Sequence, residues 1–347
     1  MLRLIRKYST KFEPGDLVMC RPLKRTTSEK KWLSYPLKEG DALRVGTGQF
    51  KHEDIIGKHS SAQIFTTYGK RQFKYMLSKP TTEEYINLIA RDAQPIYPLD
   101  AAAIVNLADL HIDYPEVDAD GNLNNPPLQF FEAGTGHGSL SLQILKTIHP
   151  ANCFVKQPNG EIDLSKRGAV LHTIDCRENH SARGAITINK FRRGMYSNDV
   201  EFHVSESPTK WLEEESTEYA ALSKPTEDLL EFEDKEAFLS GAFLDMGGFD
   251  EHLRSVAKHL KLDAPLIIFC PSISQIMQAL ELLLKNPDIK LNFVRTVQLL
   301  DGAGGGLKEW DTRTAFIKAT GKTGWVCRPK VGVRVCGGGF VMRRKNR

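Results

Sequence analysis

The stretch Phe130-Phe131-Glu132-Ala133-Gly134-Thr135-Gly136-His137-Gly138-Ser139 decides how the chain is read. An apolar run ends in an acid, three glycines alternate behind it, and a hydroxyl residue opens the next segment. Alternating glycines let the backbone turn tightly and approach a ligand closely. A helix starting at Ser139 would then present free N–H groups to the ligand's oxygens. The sequence around this stretch sets the topology. Residues 128–131 read as a strand leading into that helix. Residues 169–174 lead into a helix over 178–191, residues 241–244 into 249–260, and residues 265–270 into 274–284. Strands alternating with helices are the signature of an α/β fold with a doubly wound sheet. Two more strand candidates follow, 293–298 and 339–342. This region spans 81–347, with polar insertions expected at about 112–127, 151–168 and 213–240. The last includes the acid-rich segment 213–236, read as a solvated surface loop.

Residues 13–80 carry a different pattern. Short strand-like segments at 16–20, 42–45, 62–65 and 73–77 are separated by turns at 38–41 and 68–70, which implies a small β-barrel-like or sandwich domain. Thr81-Thr82-Glu83-Glu84 then reads as a helix N-terminus with early acids, and a second helix is expected over 99–110. Hydrophobic content of 41% and charged content of 26% are ordinary for a globular chain. The formal charge of +4 permits contact with RNA phosphates without arguing for it. No apolar run approaches the roughly 18–20 residues of a membrane-spanning helix, so no membrane insertion is expected. The six cysteines include no Cys-x-x-Cys pair and the ten histidines no paired metal spacing, so reduced thiols and no metal are expected. Residues 1–12 contain Arg3, Arg6, Lys7 and Lys11 and no acid. Wound as a helix they put Leu2 and Ile5 on an apolar stripe beside a basic one, the pattern of a mitochondrial matrix-targeting segment.

Two cofactor classes use a glycine loop of this kind. The dinucleotide fingerprint Gly-x-Gly-x-x-Gly fails here, because its third glycine falls on Ser139 or on Ser141. The form Glu-x-Gly-x-Gly-x-Gly, starting at Glu132, is the pattern of S-adenosyl-L-methionine (SAM) methyltransferases. Asp175 ends the next strand, where an acid accepts hydrogen bonds from ribose hydroxyls; it also fits as a cap of the following helix. Glu206 ends a third candidate strand, suited to an adenine N6 amine or to plain solvent. Asp245 ends a fourth, at the carboxyl edge where open α/β sheets bind ligands.

With these motifs in order, the chain resembles the tRNA (adenine-N1)-methyltransferase family, the catalytic-subunit type acting on adenosine 58. The resemblance runs from residue 13 onward. It rests on Val45-Gly46-Thr47-Gly48, Asp54-Ile55-Ile56-Gly57, Arg91-Asp92-Ala93-Gln94-Pro95-Ile96-Tyr97-Pro98, Glu132 to Ser141, Pro271-Ser272-Ile273-Ser274-Gln275 and Lys308-Glu309-Trp310. It implies a class I SAM-methyltransferase fold and a cofactor site of Gln94, Tyr97, Glu132, Gly134, Gly136, Gly138, Ser139, Asp175 and Glu206. Asp245 is implied as the catalytic residue at the target adenine. RNA, most of all tRNA, is the implied partner, and the implied assembly is a homo-oligomer or a hetero-oligomer with a paralogous subunit. The chain departs from the family pattern after Asp245, where Met246-Gly247-Gly248-Phe249-Asp250 replaces Leu-Pro-x-Pro-Trp, at Leu99, and at Cys336-Gly337-Gly338. Glycines do not wall a base pocket as prolines and an aromatic do. The alternative expectation is therefore a weakened or inactive RNA-binding or assembly factor.

Overall fold

The computed structural model describes residues 11–23, 30–157, 159–223, 236–299, 310–317, 321–329 and 339–346. The expected targeting segment, apart from its last two residues, lies outside the described residues. So do the acid-rich stretch 224–235, Lys308-Glu309 and Cys336-Gly337-Gly338. The chain divides into two compact units, Met1–Arg91 with Ile186–Ser197, and Asp92–Ala185 with Asn198–Arg347.

The first unit holds β1 (Met19–Pro22), β2 (Trp32–Leu33), β3 (Ala42–Val45), β4 (Gly48–Lys51), β5 (Gln63–Tyr68) and β6 (Arg71–Ser78). An antiparallel sheet in the order β2-β1-β6-β5 is joined by the hairpin β3–β4. That hairpin lies beside β2 and β5, so the six strands wrap one core in a partly open barrel. Alternation builds the core: Leu43, Val45, Phe50, Ile64, Tyr75 and Leu77 point inward, while their sequence neighbours face solvent. Helix α1 (Thr82–Leu88) starts on a reciprocal cap. Thr81 Oγ1 accepts from the Glu84 N–H, and the Glu84 carboxylate accepts from the Thr81 N–H.

The second unit contains α2 (Pro98–Ala108), β7 (Leu128–Ala133), α3 (Ser139–Ile148), β8 (Ala169–Asp175) and the start of α4 (Glu178–Lys190). It continues with β9 (Val200–Val204), α5 (Pro208–Lys210), α6 (Thr217–Leu222), β10 (Leu239–Leu244), α7 (Leu253–His259), β11 (Pro265–Cys270) and α8 (Ile273–Lys285). Four strands close it: β12 (Leu291–Leu299), β13 (Trp310–Ile317), β14 (Lys322–Pro329) and β15 (Gly339–Asn346). Seven strands form one sheet in the order β12-β15-β11-β10-β7-β8-β9. β9, β8, β7, β10 and β11 run parallel, and β15 is antiparallel to both of its neighbours. β7 and β8 are buried on both faces, and the polar side chains they carry there, Gln129, Glu132, His172 and Thr173, are hydrogen-bonded inside. The chain steps from β7 outward to β9, then returns to lay β10 on the other side of β7. That reversal opens a crevice at the carboxyl ends of β7 and β10.

Several elements differ from expectation. The acid-rich segment is not all solvated loop. A wide turn, Trp211–Glu215, runs into α6 and buries Trp211, Leu212, Ser216 and Ser223, leaving Glu213, Glu214, Glu215 and Glu218 outside. The Gln129 side chain donates to the Tyr219 carbonyl at 2.8 Å and to Ser223 Oγ at 2.7 Å, tying this segment to the sheet. The helix expected over 249–260 is a 3-10 turn, Phe249–His252, followed by α7. The hairpin β13–β14 has no counterpart in the sequence reading.

Candidate cofactor site

Strand β7 delivers Glu132 and Ala133 to the crevice, and the backbone then folds back on β8: the Gly134 and Thr135 N–H groups both donate to the Ile174 carbonyl, at 2.9 and 3.1 Å. Gly134 sits at φ +98°, and a Cβ there would lie 2.1 Å from the Asp245 carbonyl oxygen. Only glycine lets the loop pass so close to the end of β10. Gly138, at φ +80°, is the N-cap of α3. Gly136 faces open space; the one neighbour of a Cβ built there is the Gly134 carbonyl oxygen at 3.9 Å. The loop is a cradle with its open side at Gly136.

Three carboxylates meet at this cradle. Asp175 is buried, and its oxygens accept from the Gly136 and Arg177 N–H groups, both at 3.0 Å. The first bond steadies the loop and the second caps the turn into α4, the capping role that the sequence also allowed. His180 Nδ1 stands 3.6 Å from it. Glu132 is fully buried, its Oε2 accepting from Ser141 Oγ at 2.6 Å and Thr173 Oγ1 at 2.7 Å, while Oε1 has no partner. Burial pushes the Glu132 carboxyl up to about 8 against the pull of those two hydroxyls, with Asp245 and Asp175 adding to the rise. Asp245 is raised to about 7 by burial and by the Asp175 charge.

The remaining expected site residues divide. Ser139 Oγ donates to the Ile96 carbonyl at 2.5 Å, so its hydroxyl fastens the segment before α2 rather than facing the crevice. Gln94 Nε2 donates to Tyr97 Oη at 3.3 Å; Tyr97 is buried at the N-cap of α2 and Gln94 is exposed. Glu206 lies two residues beyond β9 with its side chain 80% exposed, facing Lys210 at 3.4 Å. The Ser205 N–H donates to the Asp175 carbonyl at 3.3 Å, which keeps the Glu206 backbone near the end of β8. Phe249 is 1% exposed in the core and supplies no wall after Asp245, while a Cβ on Gly247 or Gly248 would meet nothing within 4 Å.

Supporting residues went unread in the sequence. Ser141 and Thr173 hold Glu132. Gly184 in α4 lets that helix approach the loop, since a Cβ there would lie 2.4 Å from Thr135 Cγ2. A glycine inside a helical pattern was the available signal.

The residues present fit SAM. Asp175 suits the ribose hydroxyls of that cofactor, and Asp245 once ionised suits its cationic groups and disfavours the pyrophosphate of a dinucleotide. Among the described residues no cluster of His, Cys, Asp and Glu is arranged to hold a metal ion, and no helix is long and apolar enough to cross a membrane.

The buried acids carry a prediction. Unfolded carboxyls ionise near 4.5 for Glu132 and 3.8 for Asp245, whereas the folded chain keeps them protonated up to about 8 and 7. Unfolding therefore releases protons, and stability falls as pH rises from about 4 through about 8. Glu132→Gln removes the Glu132 part of that dependence. Melting curves of the ligand-free protein between pH 5 and 8.5 should be flatter for the variant; parallel curves would refute the assignment.

A seven-stranded sheet with one antiparallel strand inserted next to its edge, and a glycine loop and acids at its reversal point, defines the class I SAM-methyltransferase fold. No profile of a known protein family matches the chain. It is 25% identical over 300 residues to the tRNA (adenine(58)-N(1))-methyltransferase TrmI from two strains of Thermus thermophilus, covering 86% of this chain and 89% of the relative. Solved structures that share the fold include two that cover nearly all of the chain. The tRNA (m1A58) methyltransferase TrmI from Aquifex aeolicus superimposes with a TM-score of 0.58 at 20% identity, over 97% of this chain and 99% of that one. A SAM-dependent O-methyltransferase from Thermotoga maritima gives 0.61 at 15% identity, over 99% and 97%. The chain is thus similar over most of its length to the tRNA (adenine-N1)-methyltransferases.

Proposed function

We propose that the chain is a SAM-dependent methyltransferase that modifies N1 of an adenine in RNA, tRNA position 58 above all, in the mitochondrial matrix. The observation that carries the reading is the convergence of the glycine cradle, Asp175 and Asp245 at the sheet reversal, in a chain related to tRNA (adenine-N1)-methyltransferases. SAM supplies an electrophilic methyl group. Gly134, Gly136 and the α3 N-terminus would hold its amino-acid end, Asp175 its ribose hydroxyls, and Glu206 with Gln94 and Tyr97 the outer rim. Adenine N1 is itself the nucleophile, so no base is needed before attack. Methylation leaves the ring cationic, and Asp245 stabilises that charge or accepts an N6 proton. N1 lies on the pairing edge, so the base must be swung out of its stack. The test is transfer of labelled methyl groups to tRNA transcripts, with the product mapped by mass spectrometry.

A second reading is supported by the geometry after Asp245. Open space around Gly247 and Gly248, with Phe249 turned into the core, leaves the base pocket without a wall from this segment. In that reading the chain binds RNA and SAM but transfers methyl groups slowly. Oligomerisation, with itself or with a paralogous subunit, would supply the missing wall; light scattering of the purified protein tests for it.

The matrix assignment is supported by the acid-free, basic residues 1–12. A reporter carrying residues 1–20 is expected to enter mitochondria, and Arg3→Glu with Arg6→Glu to keep it out. Cytosolic retention of the unmodified fusion would end the assignment.

A further inference from the structure

Charge is divided very unevenly between the two units. Met1–Arg91 with Ile186–Ser197 holds 21 Lys and Arg against 9 Asp and Glu, a formal +12, whereas the rest of the chain holds 26 against 34, a formal −8. The overall +4 conceals this split. Within the basic unit, Arg44, Lys51, Lys70, Arg71 and Lys74 stand on two hairpins that carry no opposing charge. The hairpin β3–β4 and the hairpin β5–β6 contain no acid: there is none between Ala42 and Lys51, and none between Ala62 and Ser78. Their inward residues make the barrel core, so their outward residues form one solvent-facing surface, with β4 lying beside β5.

That surface combines cations with exposed rings. Phe65 on β5 pairs in register with Lys74 on β6, whose Nζ sits 5.6 Å above the ring centroid. Phe65 remains 46% exposed. Tyr68, 71% exposed, faces Arg71 across the hairpin end, with Lys70 in the turn between them. Arg44 projects from β3 opposite Gln49. Elsewhere in this unit four cations are paired with acids: Arg21 and Lys31 with Glu84, Lys79 with Asp16, and Arg193 with Glu13 and Asp16. Among the described residues no acid pairs with Arg44, Lys70, Arg71 or Lys74. Unpaired cations beside exposed aromatic faces are what a single nucleic-acid strand requires. Cations follow its phosphates and rings stack on its bases without regard to sequence.

We infer that the acid-free outer face of hairpins β3–β4 and β5–β6 is an RNA-binding surface, with Arg44, Lys70, Arg71 and Lys74 on phosphates and Phe65 and Tyr68 under unpaired bases. This deepens the reading of the chain as an RNA methyltransferase and places strand capture on the β unit. The net negative charge of the other unit opposes a polyanion, and the basic face supplies a compensating attraction.

The experiment uses the full chain and two probes, a fluorescent unstructured oligoribonucleotide and a tRNA transcript, followed by anisotropy between about 50 and 200 mM salt. Lys70→Glu with Arg71→Glu is expected to weaken binding at least tenfold and to flatten the salt dependence by about one to two units of slope. Phe65→Ala with Tyr68→Ala is expected to weaken oligoribonucleotide binding about tenfold and leave the salt slope unchanged. Lys146→Glu, on the exposed side of α3 in the other unit, serves as the charge control. Unaltered SAM affinity and melting temperature in each variant establish that the fold is intact. Wild-type RNA affinity in both hairpin variants, or an equal loss in Lys146→Glu, overturns the inference. Loss of binding to vesicles of anionic phospholipid, with RNA binding retained, also overturns it and assigns the face to a membrane. Methylation is scored separately. A wild-type protein that binds RNA through this face yet transfers no methyl group keeps the inference and removes the methyltransferase reading, and normal methylation by variants with normal RNA affinity does the reverse.

Discussion

Gly134→Ala is expected to abolish SAM binding and to lower the melting temperature, a large effect for one added methyl group. The new Cβ would overlap the Asp245 carbonyl oxygen at 2.1 Å, less than any real contact, and that oxygen belongs to backbone that cannot swing aside. The residue also holds φ +98°, where an L side chain costs on the order of 1–3 kcal/mol. Relief requires the loop to leave β10, which would break the paired N–H bonds from Gly134 and Thr135 to Ile174 and move Gly136 off Asp175. Calorimetry with SAM should show at least a hundredfold loss of affinity, and melting a drop of several degrees. Gly247→Ala is the contrast, because its added methyl meets nothing within 4 Å and its φ is unstrained. If Gly134→Ala binds and melts like the parent protein, the cradle has been misread.

The second large effect concerns Asp245. Asp245→Ala is expected to cut the single-turnover methylation rate by about 10²–10⁴-fold, the usual contribution of a positioned acid–base group. SAM affinity should change far less. The pH dependence is the more specific readout. The carboxyl accepts a proton or stabilises a cation only when ionised, and its pKa is raised to about 7. The wild-type rate should therefore climb about tenfold per pH unit below about 7 and level off above it. Asp245→Asn should lose that limb while keeping the shape of the side chain. Equal, near-zero rates in wild type and both variants, with RNA binding intact, would favour the RNA-binding reading over catalysis.

What the sequence revealed was local. The glycine loop, the acids at the ends of β8 and β10 and the strand–helix alternation are each contained within a few consecutive residues, and the structure puts Glu132, Asp175 and Asp245 together at one crevice. Features that depend on partners distant in sequence were hidden. Trp211 and Leu212 are followed by three glutamates, so the composition of that segment reads as solvated although its other side packs on Phe131 and His172. Phe249 follows two glycines beside Asp245, where nothing local shows that core packing turns it inward. Ser139 reads as a ligand contact, but its partner is a carbonyl 43 positions earlier. The position of β15 in the sheet is set by pairing with two strands and leaves no mark on its own residues.

That position has a consequence for how the molecule is made. β15 lies between β11 and β12, so the strand that comes last in the described chain is internal to the sheet and hydrogen-bonds on both edges. During synthesis β11 has an open edge and β12 has no sheet to join until residues 339–346 emerge. The buried Arg344 then donates to the Leu291 carbonyl at 3.1 Å and fastens β12 from below. A ribosome that stalls, or a message truncated, before residue 339 would leave a polypeptide with a complete cofactor cradle and an unpaired parallel edge, the kind of edge that other chains add to. Quality control thus has a late event to read: until β15 is inserted, the cradle is present and β11 and β12 are unjoined.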